Sequence, residues 1–408
     1  MLSFEPTEEQ RMMRDSVAEL ARARLSPAVR SHERAREIAA DVRVAAADLG
    51  LGMVLVPSDC GGAELGLRTA VLLEEELGRA DAAAAFGLPG PGAFGLALVE
   101  LGSPAQQEQW LEPFTRPDAL DRYGAVAFSE PRPHPTRAGF STTARKVLGD
   151  DGVEAWQLDG EKRFVGNAEH ADRFVVFAQL DESAGYGGVG AFVVLRDNPG
   201  LAVTARHATL GLEAASFGVV ALANARVDAA ARLEPADFTL ASARFFAKYA
   251  LVVAARALGL AHSAFELARE YCDTRVAFGK PIGHFQAVAF TLADRLMDVE
   301  SARWLVWKAA WMFDENKHDR ECLAASARAA AQVHEVAMRC ADDCVSLHGG
   351  AGFIRDVVAE KLMRDAKQLA LIGPSVATLD QLAATIELGA SLDPGLVLPT
   401  IEGQAIFT

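Results

Sequence analysis

The sequence predicts an α+β fold of three consecutive units, helical, then antiparallel β, then helical again. Three observations predict it. Apolar residues recur at helical intervals up to about residue 120, the composition then turns to alternating β-branched and aromatic segments, and from Phe238 the helical pattern returns almost to the end. The expected units are residues 1–120, 121–233 and 234–408.

In the first unit a helix begins at Thr7, with Glu8 and Glu9 well placed for a first turn and Met12, Val17, Leu20 and Ala21 at helical spacing. Gly-rich turns follow at Leu49-Gly-Leu-Gly-Met-Val-Leu-Val-Pro57 and Cys60-Gly-Gly-Ala-Glu-Leu-Gly-Leu67, the second leading into a helix over Thr69–Arg79. Turn geometry accounts for these glycines without any ligand. The second unit opens at Ala125-Val-Ala-Phe-Ser-Glu-Pro131, and Phe174–Ala178, Gly190–Leu195 and Gly218–Leu222 read as strands. In the third, Leu251, Val252, Ala255, Leu258, Gly259, His262 and Phe265 give a broad apolar face with small residues for close helix packing. A β unit between two helical units leaves a groove where the three meet, the usual place for a ligand.

A chain of 408 residues with 50% hydrophobic content can bury a large core. Its net charge of −15 and the lack of a basic run exclude nucleic acid as a partner. A few phosphates can still be held by one or two local cations and backbone amides. The five cysteines, Cys60, Cys272, Cys322, Cys340 and Cys344, are irregularly spaced and odd in number, which argues against a disulfide framework and for a reducing cytoplasm. The acidic N-terminus is no secretory signal, and without a run of roughly 20 uncharged apolar residues no membrane span is expected. Cys340, Cys344 and His348 recur every four residues, a spacing that can bind metal. Small residues on a packed helix give the same pattern, and no metal site is expected.

The richest stretch is Tyr271-Cys-Asp-Thr-Arg-Val-Ala-Phe-Gly-Lys-Pro-Ile-Gly-His-Phe-Gln286. Gly279, Pro281 and Gly283 end the preceding helix, placing Arg275 near its end. Arg275, Phe278 and Gln286 offer a bidentate donor, an aromatic face and an amide, a set suited to a pyrophosphate beside a ring system. A surface arginine beside an interhelical turn is the other reading of the same residues.

The pattern Arg275-x-x-Phe-Gly-Lys-Pro-Ile-x-x-Phe-Gln286 resembles the signature of the acyl-CoA dehydrogenase family. Leu347-His-Gly-Gly-Ala-Gly352 and Leu362-Met-Arg-Asp-Ala-Lys367 resemble that family's second dinucleotide-contacting loop and the helix after it, and the resemblance runs through nearly the whole chain. It implies FAD, an acyl-CoA substrate and an electron-transfer protein as acceptor. It also implies that Arg275, Phe278, Gln286, Gly349 and Gly350 reach across a subunit interface to a flavin held mainly by the neighbour. The implied reaction passes an α proton to a carboxylate and a β hydride to flavin N5.

The residues implied for that chemistry are altered. Gly373 stands where most members carry the glutamate base, and Tyr249 where others carry it. A phenol, which ordinarily ionises only near pH ~10, is a poor base. Ser129 keeps a hydroxyl that can meet the flavin, but His134-Pro135-Thr136 replaces the usual Gly-Ser-Asp. Phe164-Val-Gly166-Asn keeps the aromatic residue and loses a threonine, and Ser346 replaces a glutamine. Asp380 and Glu387 are candidates for a displaced base, or solvated charges on the last helix.

The expected function is thus a subunit for α,β-dehydrogenation of an acyl-CoA, bulky steroid-like groups included, with the base and most of the flavin site supplied by a homologous partner. Two alternatives stand beside it. One is a self-sufficient homo-oligomer with a relocated base acting on an acyl-CoA or acyl-carrier-protein thioester; the other is a binding or scaffold protein without redox chemistry.

Overall fold

The computed structural model describes residues 5–116, 119–131, 134, 136, 138–148 and 152–398. Met1–Phe4 and Pro135 lie outside them. The N-terminal unit holds α1 (Glu8–Leu20), α2 (Val29–Ala35), α3 (Ala40–Asp48), α4 (Gly66–Gly87), α5 (Gly92–Leu101) and α6 (Pro104–Leu111). Thr7 caps α1 through a reciprocal pair of bonds with Gln10, satisfying backbone groups that a helix start leaves unpaired. At Asp81 α4 leaves helical geometry (φ −162°, ψ 103°). The Asp81 carboxylate accepts from Lys361 Nζ at 2.9 Å, and Lys361 also reaches Asp365, which accepts from the Leu212 N–H at 2.6 Å. Burial opposes the Lys361 charge, but Asp365 and Asp81 outweigh it and hold its pKa above the ordinary lysine value. This buried cluster ties all three units together.

The middle unit is one sheet of β1 (Gly124–Ala127), β2 (Thr143–Leu148), β3 (Glu154–Gly166), β4 (Arg173–Gln179), β5 (Val189–Leu195), β6 (Leu201–Arg206), β7 (Phe217–Asp228) and β8 (Arg232–Leu233). The order is β6-β7-β3-β2-β4-β5-β8, with β1 on β4. The pairing is antiparallel with two exceptions to the sequence expectation: β1 runs parallel to β4, and β2 meets β4 in parallel at Thr143 and Gln179. β4 is buried along its whole length, so its centre reads as a continuous apolar run.

The C-terminal unit contains α7 (Phe238–Thr274), a short ribbon of β9 (Val276–Ala277) and β10 (Lys280–Pro281), α8 (Gln286–Asp314), α9 (Asp319–His348), α10 (Ala359–Leu369), α11 (Val376–Glu387) and α12 (Pro394–Val397). α7 is the one described helix with the length and apolarity to cross a bilayer, yet it is the hub of the core, packed on α4, α5, α8 and α9. Gly78 and Gly259 let α4 and α7 touch. A Cβ on Gly259 would fall 2.0 Å from the Glu75 carbonyl oxygen, and one on Gly78 2.2 Å from that of Arg256. No side chain fits between backbones that close.

Candidate active site

A cavity of about 700 Å³ opens where the sheet meets the C-terminal helices. Its walls come from the end of α4 (Phe86), the β1 edge (Val126, Phe128, Ser129), the end of β3 (Phe164, Gly166), the loop before β7 (His207, Thr209), α7 (Tyr249) and the α10–α11 region (Gln368, Gly373, Thr378, Gln381). The structure therefore brings Ser129, Phe164, Tyr249 and Gly373 into one site. Among the described lining residues there is no aspartate or glutamate.

Tyr249 is buried, and burial pushes its phenol up to about 12, with Arg256 pulling weakly the other way. The phenol is protonated at any physiological pH and can donate a proton but not take one. Gly373 has φ +77° and presents no side chain. Asp380 and Glu387 are exposed on α11 and stand outside the lining, and Glu387 is paired with Arg328. Neither is placed to act as a base here.

Ser129 is positioned by its neighbour. Glu130 is buried and accepts from the Ser141 and Thr142 N–H groups at 2.6 and 2.8 Å and from Lys162 Nζ at 2.9 Å; Lys162 also donates to the Phe128 carbonyl at 3.2 Å. Burial pushes Lys162 down to about 8 although Glu130 resists it. Desolvation alone would raise Glu130, but Lys162 and the hydrogen bonds hold it below the ordinary carboxylate value. In the His134–Thr136 segment the Thr136 N–H donates to His134 Nδ1 at 3.3 Å.

Gly166 is more than a lost hydroxyl. A Cβ there would lie 2.7 Å from Phe86 Cε1, so the Phe86 ring fills the space a threonine side chain needs. Phe164 sits at φ +55° with its ring stacked on His207, centroids 4.6 Å apart. His207 Nε2 is buried without a partner, and burial, with Arg163 nearby, lowers its pKa. Phe86, His207 and Phe217 carry no local sequence signal. A phenylalanine closing an apolar helix and a lone loop histidine read as structure.

The other predicted residues lie elsewhere. Arg275 caps α7, twenty-six residues beyond Tyr249 on the same helix, which at about 1.5 Å per residue is roughly 39 Å away. Its guanidinium has no hydrogen bond or ion pair among the described residues. Phe278 is 95% exposed at φ +51°, and Gln286 begins α8. Gly349 and Gly350 follow α9, and the His348 ring stacks on Tyr271 at 4.3 Å, which fixes that loop beside the α7 end. His348 Nδ1 lies 2.7 Å from the Cys344 carbonyl, so that nitrogen donates to its own helix. No group of three or more described His, Cys, Asp or Glu could hold a metal.

A chain of helices, sheet and helices meeting in one roomy cavity has the architecture of flavin-dependent dehydrogenases of acyl thioesters. Three family models match in that order: acyl-CoA dehydrogenase N-terminal domain over residues 7–118, middle domain over 125–225 and C-terminal domain over 238–384. The chain belongs to the acyl-CoA dehydrogenase family. It is 32% identical over 368 residues to cyclohex-1-ene-1-carbonyl-CoA dehydrogenase of Geobacter metallireducens, covering 88% of this chain and 93% of that one. Among solved structures, butyryl-CoA dehydrogenase from Megasphaera elsdenii superposes with a TM-score of 0.86 at 27% identity, covering 95% of this chain and 100% of that one. A structure described as an electron transferring flavoprotein of Acidaminococcus fermentans gives 0.85 at 28% identity, with 95% and 100% covered.

The family implies FAD. The outward cluster fits it: an unpaired guanidinium, a bare aromatic ring, and glycines whose missing Cβ atoms face open space can receive a phosphate and a ring from outside. When bound, FAD supplies the hydride acceptor. Ser129 and Phe164 would meet a flavin held in this chain's own cavity.

Proposed function

We infer that this chain is a subunit of an acyl-CoA-oxidising flavoprotein in which a homologous partner supplies the base and most of the flavin site, while Arg275, Phe278, Gln286, Gly349 and Gly350 complete the partner's FAD pocket. The observation that carries the reading is the cavity: both positions where the family places its glutamate line it, and neither bears a carboxylate. The cavity is of the acyl-thioester kind, with room for a bulky, steroid-like group, but its described lining has no carboxylate to take the α proton. An outward apolar stripe on α8 supports a partner subunit. Phe290, Met297 and Trp304 recur every seventh residue and are 63%, 60% and 43% exposed, and Phe353 adds to the exposed apolar surface. An electron-transfer protein takes the electrons onward, and the five unpaired cysteines suit a reducing, cytoplasmic compartment.

The test is flavin stoichiometry and substrate reduction of the purified chain, alone and with homologous candidate partners. Half occupancy with turnover in the mixed complex is expected; full occupancy and turnover by the chain alone would overturn the proposal.

A second reading, a self-sufficient homo-oligomer, is favoured by His207. It is the cavity's one described imidazole, held neutral by burial and with Nε2 unpartnered, so it has a lone pair to offer. Turnover by the lone chain that disappears in His207→Gln would establish it.

A further inference from the structure

The start of α11 opens onto the cavity of about 700 Å³, with Ser375, Ala377 and Thr378 in its wall. Ser375 caps the helix by accepting from the Thr378 N–H at 3.2 Å, which leaves the Val376 and Ala377 N–H groups without a hydrogen-bond partner among the described residues. Free N–H groups at the positive end of a helix attract an anion. Tyr249 gives this end a second donor. The residue is only 9% exposed, it lines the same cavity, and its phenol has no hydrogen-bond partner among the described residues. Its ring edge passes 3.5 Å from the point where a Gly373 Cβ would stand, two residues ahead of the Ser375 cap. Burial keeps the phenol protonated, so it meets an anion as a donor.

Around this polar corner the wall is apolar, with Phe86, Val126, Phe128, Phe217, Leu371 and Ile372. No described lining residue is an aspartate or glutamate, so no fixed negative charge in the wall repels an anion. Lysine and arginine are absent from the described lining too, and Arg256, which acts on the phenol from beyond it, is tied to Glu74 by bonds of 2.6 and 2.8 Å. The anion is therefore held by helix-end N–H groups and one phenol. A phosphate, with a charge near −2 and three oxygens to satisfy, needs a cation that this wall lacks. A carboxylate, with one charge and two oxygens, does not.

We propose that this cavity binds a free hydrophobic carboxylic acid, its carboxylate between the start of α11 and the Tyr249 phenol and its hydrocarbon body along the apolar wall. The ligand is an unesterified acid, and its binding needs neither flavin nor a partner subunit. A glutamate at position 373 or 249 would set a like charge at the same spot, and the absence of both is what opens the corner to a carboxylate.

Calorimetric titration of the purified full chain with decanoate and with 1-decanol, two ligands of equal chain length, tests the site. Decanoate is expected to bind at least about tenfold more tightly than the alcohol, because hydrogen bonds to a charged group are the stronger ones. Tyr249→Phe should weaken decanoate by about tenfold and leave decanol within about twofold. Thr378→Glu, which puts a carboxylate in the first turn of α11 where a helix tolerates it, should weaken decanoate by about tenfold or more and spare decanol. Circular dichroism and melting confirm that both variants are folded. Equal wild-type affinity for the two ligands, no binding of decanoate, or decanoate binding unmoved in a folded variant would overturn the proposal. None of these results bears on flavin stoichiometry in the mixed complex, so failure here leaves the proposed function standing.

Discussion

Gly373 and Tyr249 face each other across the cavity: a Cβ on Gly373 would lie 3.5 Å from Tyr249 Cε1, in ordinary van der Waals contact. Two positions 124 residues apart, at which the family resemblance implies a base, converge on one spot, and neither bears a carboxylate. Because the phenol is held near 12 by burial, Tyr249→Phe is expected to change turnover of the assembled enzyme by less than about twofold. A loss of a hundredfold or more in steady-state assays would show that Tyr249 moves the proton after all.

Restoring the lost threonine is predicted to harm the fold. Gly166→Thr drives a Cβ to 2.7 Å from Phe86, an overpacking worth about 1–3 kcal/mol in urea denaturation. Combined with Phe86→Leu, part of that cost is expected to disappear, because the two residues compete for one space. Strict additivity of the two changes would contradict it.

Arg275→Ala and Phe278→Ala should leave the stability of the isolated chain within about 0.5 kcal/mol, since neither side chain is buried. Their effect is expected on assembly: flavin affinity of the mixed complex should fall by at least about tenfold, and Arg275→Lys should not rescue it, because an ammonium lacks the planar fork. Unchanged flavin content would remove Arg275 and Phe278 from the cofactor site.

Stability should fall in mild acid because of His334. The ring is buried in α9, Nδ1 has no partner among the described residues, and burial pushes its pKa down to about 4. The unfolded chain binds the proton near pH 6.5 and the folded chain does not, so stability rises with pH between 4 and 6.5, by up to ~1.4 kcal/mol per unit. Urea midpoints of wild type against His334→Leu should diverge with that slope across the window and run parallel above about pH 7.

The helical and strand segments were legible because periodicity alone reports them. Phe174–Ala178 lies within β4, Thr69–Arg79 within α4, and Thr7 caps the first helix. The parallel contacts of β1 and β2 with β4 were not, since local composition carries no record of strand direction. The α7 end was legible from Gly279, Pro281 and Gly283, whose backbone limits act wherever they occur.

By itself the sequence determined which side chains exist at Gly373, Tyr249, Gly166 and Arg275, and therefore which acids, hydroxyls and cations the chain can bring to any reaction. Tertiary structure decided their company. It set Gly373 against Tyr249, filled the space beside Gly166 with Phe86 from a distant helix, and left Arg275 at the C-terminal end of α7, roughly 39 Å along the helix from Tyr249. Those pairings depend on which backbones approach, a property of packed volumes and long-range contacts that no local window of residues encodes.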